Sequence, residues 1–159
     1  MIIAFQGGSM FRLLGLVCLL ASSVVMAAGS TTISRKAYQN TEVVTISWTG
    51  DASDGSVPVR QVGLFGYVEK VVINPGDTAP TANYDISFQD PADSNLDVFA
   101  TALHNLSATT TAQIFPRIAG TVGTVSSFAN LLIGEYGFYL HNNSVASATG
   151  VVQVYLKKP

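Results

Sequence analysis

A chain of 159 residues with 11% charged side chains, a formal net charge of −2 and one cysteine excludes several classes at once. Globular domains carry about 25% charged residues, so this polar surface, built on Ser, Thr, Asn and Gly, is weakly solvated for a free monomer and suits a chain that buries exterior against neighbours. Lys and Arg are scattered rather than clustered, so nucleic-acid binding through phosphate neutralisation is not expected.

The N-terminal segment reads as an address or an anchor. Arg12 precedes an apolar run from Leu13 to Val17 that continues through Cys18-Leu19-Leu20 to Val24-Val25-Met26-Ala27-Ala28. Residues 1–28 are expected to be a signal peptide cut after Ala27, with Met10 a candidate initiator, or else a membrane anchor acting through residues 11–28. The apolar run, about 16 residues, falls short of the ~20 that a bilayer core requires, which favours cleavage. Cys18, the one cysteine, lies in this leader. A mature domain of residues 29–159 then forms no disulfide and uses no thiol chemistry or cysteine metal site, and it is long enough for one core.

Past the leader the predicted elements are strands. Thr31 to Tyr38 reads as an edge strand. Glu42 to Thr49 follows, with Val44, Ile46 and Trp48 on one face. Gly50 to Ser56 is a polar loop of turn formers. Gln61 to Asn74 is long and apolar, interrupted by Gly63 and Gly66, and is either one bent strand with a bulge or two short ones. Asn74-Pro75-Gly76-Asp77-Thr78-Ala79-Pro80 is turn chemistry. Tyr84 to Gln89 alternates apolar and polar residues strictly, the pattern of a strand with one wet face. Gly66 to Asp97 is therefore expected to form a hairpin-like unit closed by an acidic turn.

Leu96 to Leu103 predicts either a short helix or a loop that tucks Leu96, Phe99 and Leu103 under the sheet. Thr110 to Ile118 predicts a strand. Phe128 to Ile133 and Tyr136 to Asn142 predict two more, separated by Gly134-Glu135. Val151 to Lys157 closes the chain with Val152, Val154 and Leu156 facing one way. About seven to nine short strands with turns between them predict a single all-β domain, an antiparallel β-sandwich or jelly roll.

Chemistry-bearing residues are few. Asp90, Asp93, Asn95 and Asp97 crowd one turn and offer oxygens to Ca²⁺, but they lack the Gly and Glu spacing of an EF-hand loop. An acidic turn capping its own backbone is the commoner account of such a cluster, and it holds more strongly still for Asp51-Ala52-Ser53-Asp54-Gly55. His104 and His141, the two histidines, have no partner at zinc-ligand spacing, and there is no Gly-x-Ser-x-Gly elbow. No catalytic residue, cofactor or metal is expected. A hydrolase would need His104 or His141 within hydrogen-bond reach of a Ser and a carboxylate.

Asn105-Leu106-Ser107 and Asn142-Asn143-Ser144 fit the glycosylation acceptor pattern, which arises readily in a Ser- and Asn-rich chain. Most aromatics are assigned to core packing. Tyr139 and Tyr155, on faces opposite Phe138/Leu140 and Val154/Leu156, are the candidate contact surface.

Several of these motifs occur together in one known group. Asp51-Ala52-Ser53-Asp54-Gly55-Ser56, Gly66-Tyr67 with Glu69-Lys70-Val71-Val72, Asn74-Pro75-Gly76, Ala79-Pro80-Thr81 and Asn83-Tyr84-Asp85-Ile86 resemble small β-domain proteins encoded in tailed-phage and prophage genomes. The acidic turn after the Tyr-Asp-Ile strand and the closing strand Val151 to Leu156 belong to the same likeness, which spans essentially the whole mature domain. Proteins of that group are uncharacterised or are virion structural components. The resemblance implies a non-enzymatic virion protein, at the capsid surface, as decoration or elsewhere in the particle. It implies action by self-association, as a symmetric oligomer or with other virion or surface proteins.

The leader departs from that pattern, because tailed-phage virions assemble in the cytoplasm. A second expectation follows from it: an exported cell-surface or periplasmic module that recognises a glycan or another surface ligand. Either way the expected location is the virion or outside the cytoplasm.

Overall fold

The computed structural model describes residues 27–119 and 127–159, so the expected signal peptide or anchor, up to Met26, lies outside the described residues. The strands are β1 (Ser30–Ala37), β2 (Thr41–Thr49), β3 (Arg60–Pro75), β4 (Asp85–Asp90), β5 (Asp93–Asp97), β6 (Ala112–Ile114), β7 (Arg117–Ala119), β8 (Ser127–Ala129), β9 (Leu131–His141) and β10 (Thr149–Lys157). A single 3-10 turn, Ala100–Leu103, follows β5, and no α-helix occurs among the described residues. Eight strands form one sheet in the order β1-β2-β10-β3-β9-β4-β5, with β6 attached to β3, while β7 and β8 make a separate ribbon. Every pairing is antiparallel.

Alternation places the core. On β2 the branched and aromatic side chains Val44, Ile46 and Trp48 are buried, and on β10 so are Val152, Val154 and Leu156. The two strands lie in register, Val152 opposite Ile46 and Val154 opposite Val44, so their apolar faces form one surface. On β4, Ile86 and Phe88 are buried; Phe88 meets Phe99 edge-on at 5.1 Å and Phe138 of β9 at 5.6 Å.

The sheet is not flat. From β2 to β4 is four inter-strand steps, about 19 Å in a flat sheet. Yet the rings of Trp48 and Tyr84, the residue just before β4, lie 6.2 Å apart. The sheet therefore curls until its two ends share one core. Arg35 on β1 marks the same curl, since its guanidinium donates to the Gly63 carbonyl of β3 as well as to Glu42 at 3.2 Å. Tyr84 is fully buried, its hydroxyl meets no hydrogen-bond partner among the described residues, and burial raises its pKa to about 12.

β3 makes the curl possible. Its first half, Arg60 to Tyr67, pairs with β9; from Tyr67 onward it pairs with β10, and Val71 to Ile73 pair also with β6. Between Tyr155 and Leu156 the register slips so that Glu69 is an extra residue on β3. The buried positions change parity with it: Val62, Leu64 and Val68 before the bulge, Val71 and Ile73 after it. Without that extra residue the second half would turn its valines to solvent. Of the two sequence readings of this segment, one bent strand with a bulge is the observed one.

Four local expectations need correction. The segment from Gly66 to Asp97 is not a hairpin, because β9 lies between β3 and β4; turn residues bend a chain without choosing its partner strand. The predicted strand from Thr110 to Ile118 divides at Phe115-Pro116 into β6 and β7, as the missing proline N–H dictates. Gly134-Glu135 is no break: β9 runs through it, pairing Gly134 with Leu64 and Glu135 with Gly63. Leu96 to Leu103 does hold a short helix, the 3-10 turn Ala100–Leu103, and buries Phe99 and Leu103, but Leu96 is not tucked under the sheet: it lies in β5 and stays 51% exposed.

Candidate functional site

The outer side of β4 and β9 carries the only grouping of imidazole, hydroxyl and acid among the described residues that is built by strand pairing. With Ile86 and Phe88 turned into the core, Asp85, Ser87 and Gln89 must face outward. Asp85 pairs with His141 and Ser87 with Tyr139, so these side chains share one face. Asp97, at the end of β5, supplies the roof. Its Oδ1 accepts the backbone N–H groups of Phe88 and Phe99, both at 3.1 Å, which draws the 3-10 turn over the sheet. The result is a cleft of roughly 630 Å³ lined by both histidines and by Asp85, Ser87, Gln89 and Asp97.

Inside it, Ser87 Oγ lies 2.9 Å from His141 Nε2, and Gln89 Nε2 donates to the same Oγ at 3.4 Å. His104 Nε2 stands 3.6 Å from Asp97 Oδ2. Asp85 accepts from the Asn105 N–H at 2.7 Å and from Asn142 Nδ2 at 2.6 Å. The His141 ring stacks on Tyr139, 3° from parallel with centroids 5.9 Å apart.

Burial pushes the Asp97 carboxyl above its ordinary range, opposed in part by the Phe99 and Phe88 N–H groups and by His104. A carboxyl with a raised folded pKa favours the native state most below its unfolded pKa. That contribution is lost as pH rises through the folded value. Asp97→Asn keeps an oxygen for both N–H groups without the charge, so its stability relative to wild type should improve steadily from pH 3 to pH 7. Asp97→Ala leaves two N–H groups unmet and should lose about 2 kcal/mol throughout. Urea unfolding at pH 3, 5 and 7 checks both; an Asn variant that weakens with rising pH refutes the assignment.

The proposed calcium set is not assembled. Asp90 pairs with Asp93 and its Oδ1 caps the Ala92 N–H at 2.8 Å, while Asp97 points under the roof. The side chain of Asn95 lies outside the described residues. Among the described residues no three His, Cys, Asp or Glu groups are placed to hold a metal ion. Asp51 accepts from the Ser53 N–H at 2.6 Å and from its hydroxyl, and these bonds lower its pKa in an ordinary turn.

Of the two contacts a hydrolase needs at one histidine, His141 has the serine alone. Ser87 and His141 touch, but Asp85 and Asp97 direct their hydrogen bonds elsewhere and neither bonds His141. Ser87 is only 4% exposed. Tyr139 and Tyr155 are both half-buried and share no contact: Tyr139 stacks on His141, and Tyr155 lies 4.5 Å beneath Lys70 Nζ. Asn105 and Asn142 are exposed.

A second surface escaped the sequence reading. Phe65 faces Ile133 and Tyr67 faces Leu131 across the β3–β9 pairing. Their exposures are 52%, 67%, 39% and 39%. Beside them Phe115, with Lys157 and Lys158, lines a groove of roughly 580 Å³. The aromatic and branched residues of β3 resemble core throughout, and only the pairing with β9 tells which ones remain outside.

Comparison with protein-family models, curated proteins and solved structures yields no match. No helix of the described residues is long and apolar enough to cross a membrane.

Proposed function

We propose that this chain is a non-enzymatic structural protein of a phage virion, at the capsid surface, as decoration or elsewhere in the particle, and that it acts by self-association. One observation carries the reading: two directly opposed apolar pairs, Phe65 with Ile133 and Tyr67 with Leu131, form a continuous strip on the outer face of β3 and β9. The core of these strands is already supplied by Val62, Leu64, Leu132 and Tyr136, so the strip is surplus to folding. A contiguous apolar strip is costly on a free monomer and is the usual centre of a protein contact.

The low charge of the chain supports the same reading, because few ions need desolvation when copies meet. The curled sheet is interpreted as a β-sandwich or jelly roll, an architecture that builds capsid domains. Closed symmetry of the oligomer and a location in the virion, or outside the cytoplasm if the leader directs export, complete the proposal.

The test is light scattering with native and intact-mass measurement on the expressed chain and on the double variant Phe65→Glu/Ile133→Glu. Wild type is expected to be a discrete oligomer. The variant should associate at least 100-fold more weakly, about 2.7 kcal/mol, with its melting temperature nearly unchanged. A wild type that stays monomeric at tens of micromolar, or a variant that assembles as wild type does, refutes the proposal.

A further inference from the structure

We propose that the cleft between the outer face of β4–β9 and the 3-10 turn binds a neutral saccharide. This site lies apart from the apolar strip and does not depend on self-association.

The lining selects the ligand class. Asp85 and Asp97 place two carboxyl groups in the lining, that of Asp97 with its Oδ2 buried, which disfavours phosphate, sulfate and other anions. A cation fares little better: Asp85 accepts one donor on each oxygen and Asp97 two on Oδ1, leaving only the buried Oδ2 unbonded, and among the described residues no three ligating groups converge. What remains is a mixture of acceptors and donors, with amide, hydroxyl and imidazole groups beside the acids. A sugar hydroxyl donates and accepts at once, and it satisfies such a lining without bringing charge.

His141 is the fixed point. Ser87, 4% exposed, holds its Nε2 at 2.9 Å, and Tyr139 holds the ring plane. Nδ1 is left for a ligand, and of the two stacked rings His141 lines the cleft while Tyr139 backs it, so one imidazole face is offered to the apolar face of a pyranose. A ring held from two sides loses little freedom on binding. Leu96, 51% exposed at the mouth, adds apolar contact. The volume, roughly 630 Å³, falls in the usual span of small-molecule sites, about 300–1,000 Å³.

The chain contains two histidines, and both line this cleft, so their ring signals in a ¹H–¹⁵N spectrum report on it alone. The probes are an array of glucose-, galactose- and N-acetylglucosamine-terminated oligosaccharides, with sialylated and sulfated glycans as anionic members. At least one neutral oligosaccharide is expected to bind, to move the His141 ring signals on titration, and to lose at least tenfold in affinity in both Gln89→Ala and His141→Ala. Phe65→Glu/Ile133→Glu should bind it as wild type does. Silence across the neutral members, binding confined to anionic ones, or binding that leaves both histidine signals and both cleft variants unaffected overturns the proposal.

Discussion

Asn143→Ala is expected to destabilise the fold by about 3 kcal/mol, the loss of a hydrogen-bonded hub in a half-buried setting. Its Oδ1 accepts from the Thr81 N–H at 3.0 Å, the Val145 N–H at 3.3 Å and the Thr81 hydroxyl at 3.4 Å. Its Nδ2 donates to the Gly55 carbonyl at 2.7 Å and to that of Val145 at 3.4 Å. Three loops meet on this one amide: β2–β3 at Gly55, β3–β4 at Thr81 and β9–β10 at Val145. Val57 of the first loop and Val145 and Ala148 of the third reach the core, and the Asn143 amide supplies the polar bonds that tie the three loops to one another. Ser147 N–H to the Asp51 carbonyl at 3.1 Å and Gly50 N–H to that of Ala148 at 2.7 Å belong to the same end. Asn143→Asp should cost at least as much at pH 7, because a carboxylate cannot donate and would face two carbonyl oxygens. Urea unfolding of both variants is the measurement; an alanine variant within about 0.5 kcal/mol of wild type would show that the loops hold one another without it.

Hydrophobic alternation made the strands legible, and for a local reason. Val44, Ile46 and Trp48, or Val152, Val154 and Leu156, announce a buried face because period two is a property of each strand alone. Pairing is not local. Nothing near Ser87 or His141 says that 54 residues of chain close to bring them within 2.9 Å, so the cleft was invisible while its parts were plain. The loop expected from Asn74 to Pro80 begins only at Gly76, because Asn74 and Pro75 stay in the β3 ladder opposite β10, and it closes no hairpin, since β9, more than forty residues later in the chain, takes the place beside β3. Gly134 misled in the opposite direction. Its backbone stays in the β9 ladder opposite Leu64, so a glycine that marks a turn elsewhere marks none here.

Gly66→Ala is expected to be the most damaging conservative change in β3, costing about 3 kcal/mol or more. Gly66 sits at φ +148°, where an L side chain is strained. A Cβ there would lie 2.5 Å from the Lys157 carbonyl oxygen and 3.2 Å from its carbon. Those are backbone atoms of β10 and cannot step aside without breaking the pairing of Lys157 with Tyr67.

The position explains the demand. At Tyr67, the next residue, β3 holds β9 on one side and takes up β10 on the other. The two strands must come close to the β3 backbone at the same point for the sheet to curl there. Gly63 is the natural control: an added Cβ would meet only the Phe65 ring at 3.0 Å and the Arg35 guanidinium at 3.3 Å, both ends of movable side chains, and Gly63→Ala should cost under about 1 kcal/mol. The melting temperature of Gly66→Ala should fall by on the order of 10 °C while Gly63→Ala stays near wild type. Equal losses at the two glycines would mean that the curl is not pinned at Gly66. An unaffected Gly66→Ala would mean that β10 can withdraw from it freely, and the single core shared by the two ends of the sheet would then need another cause.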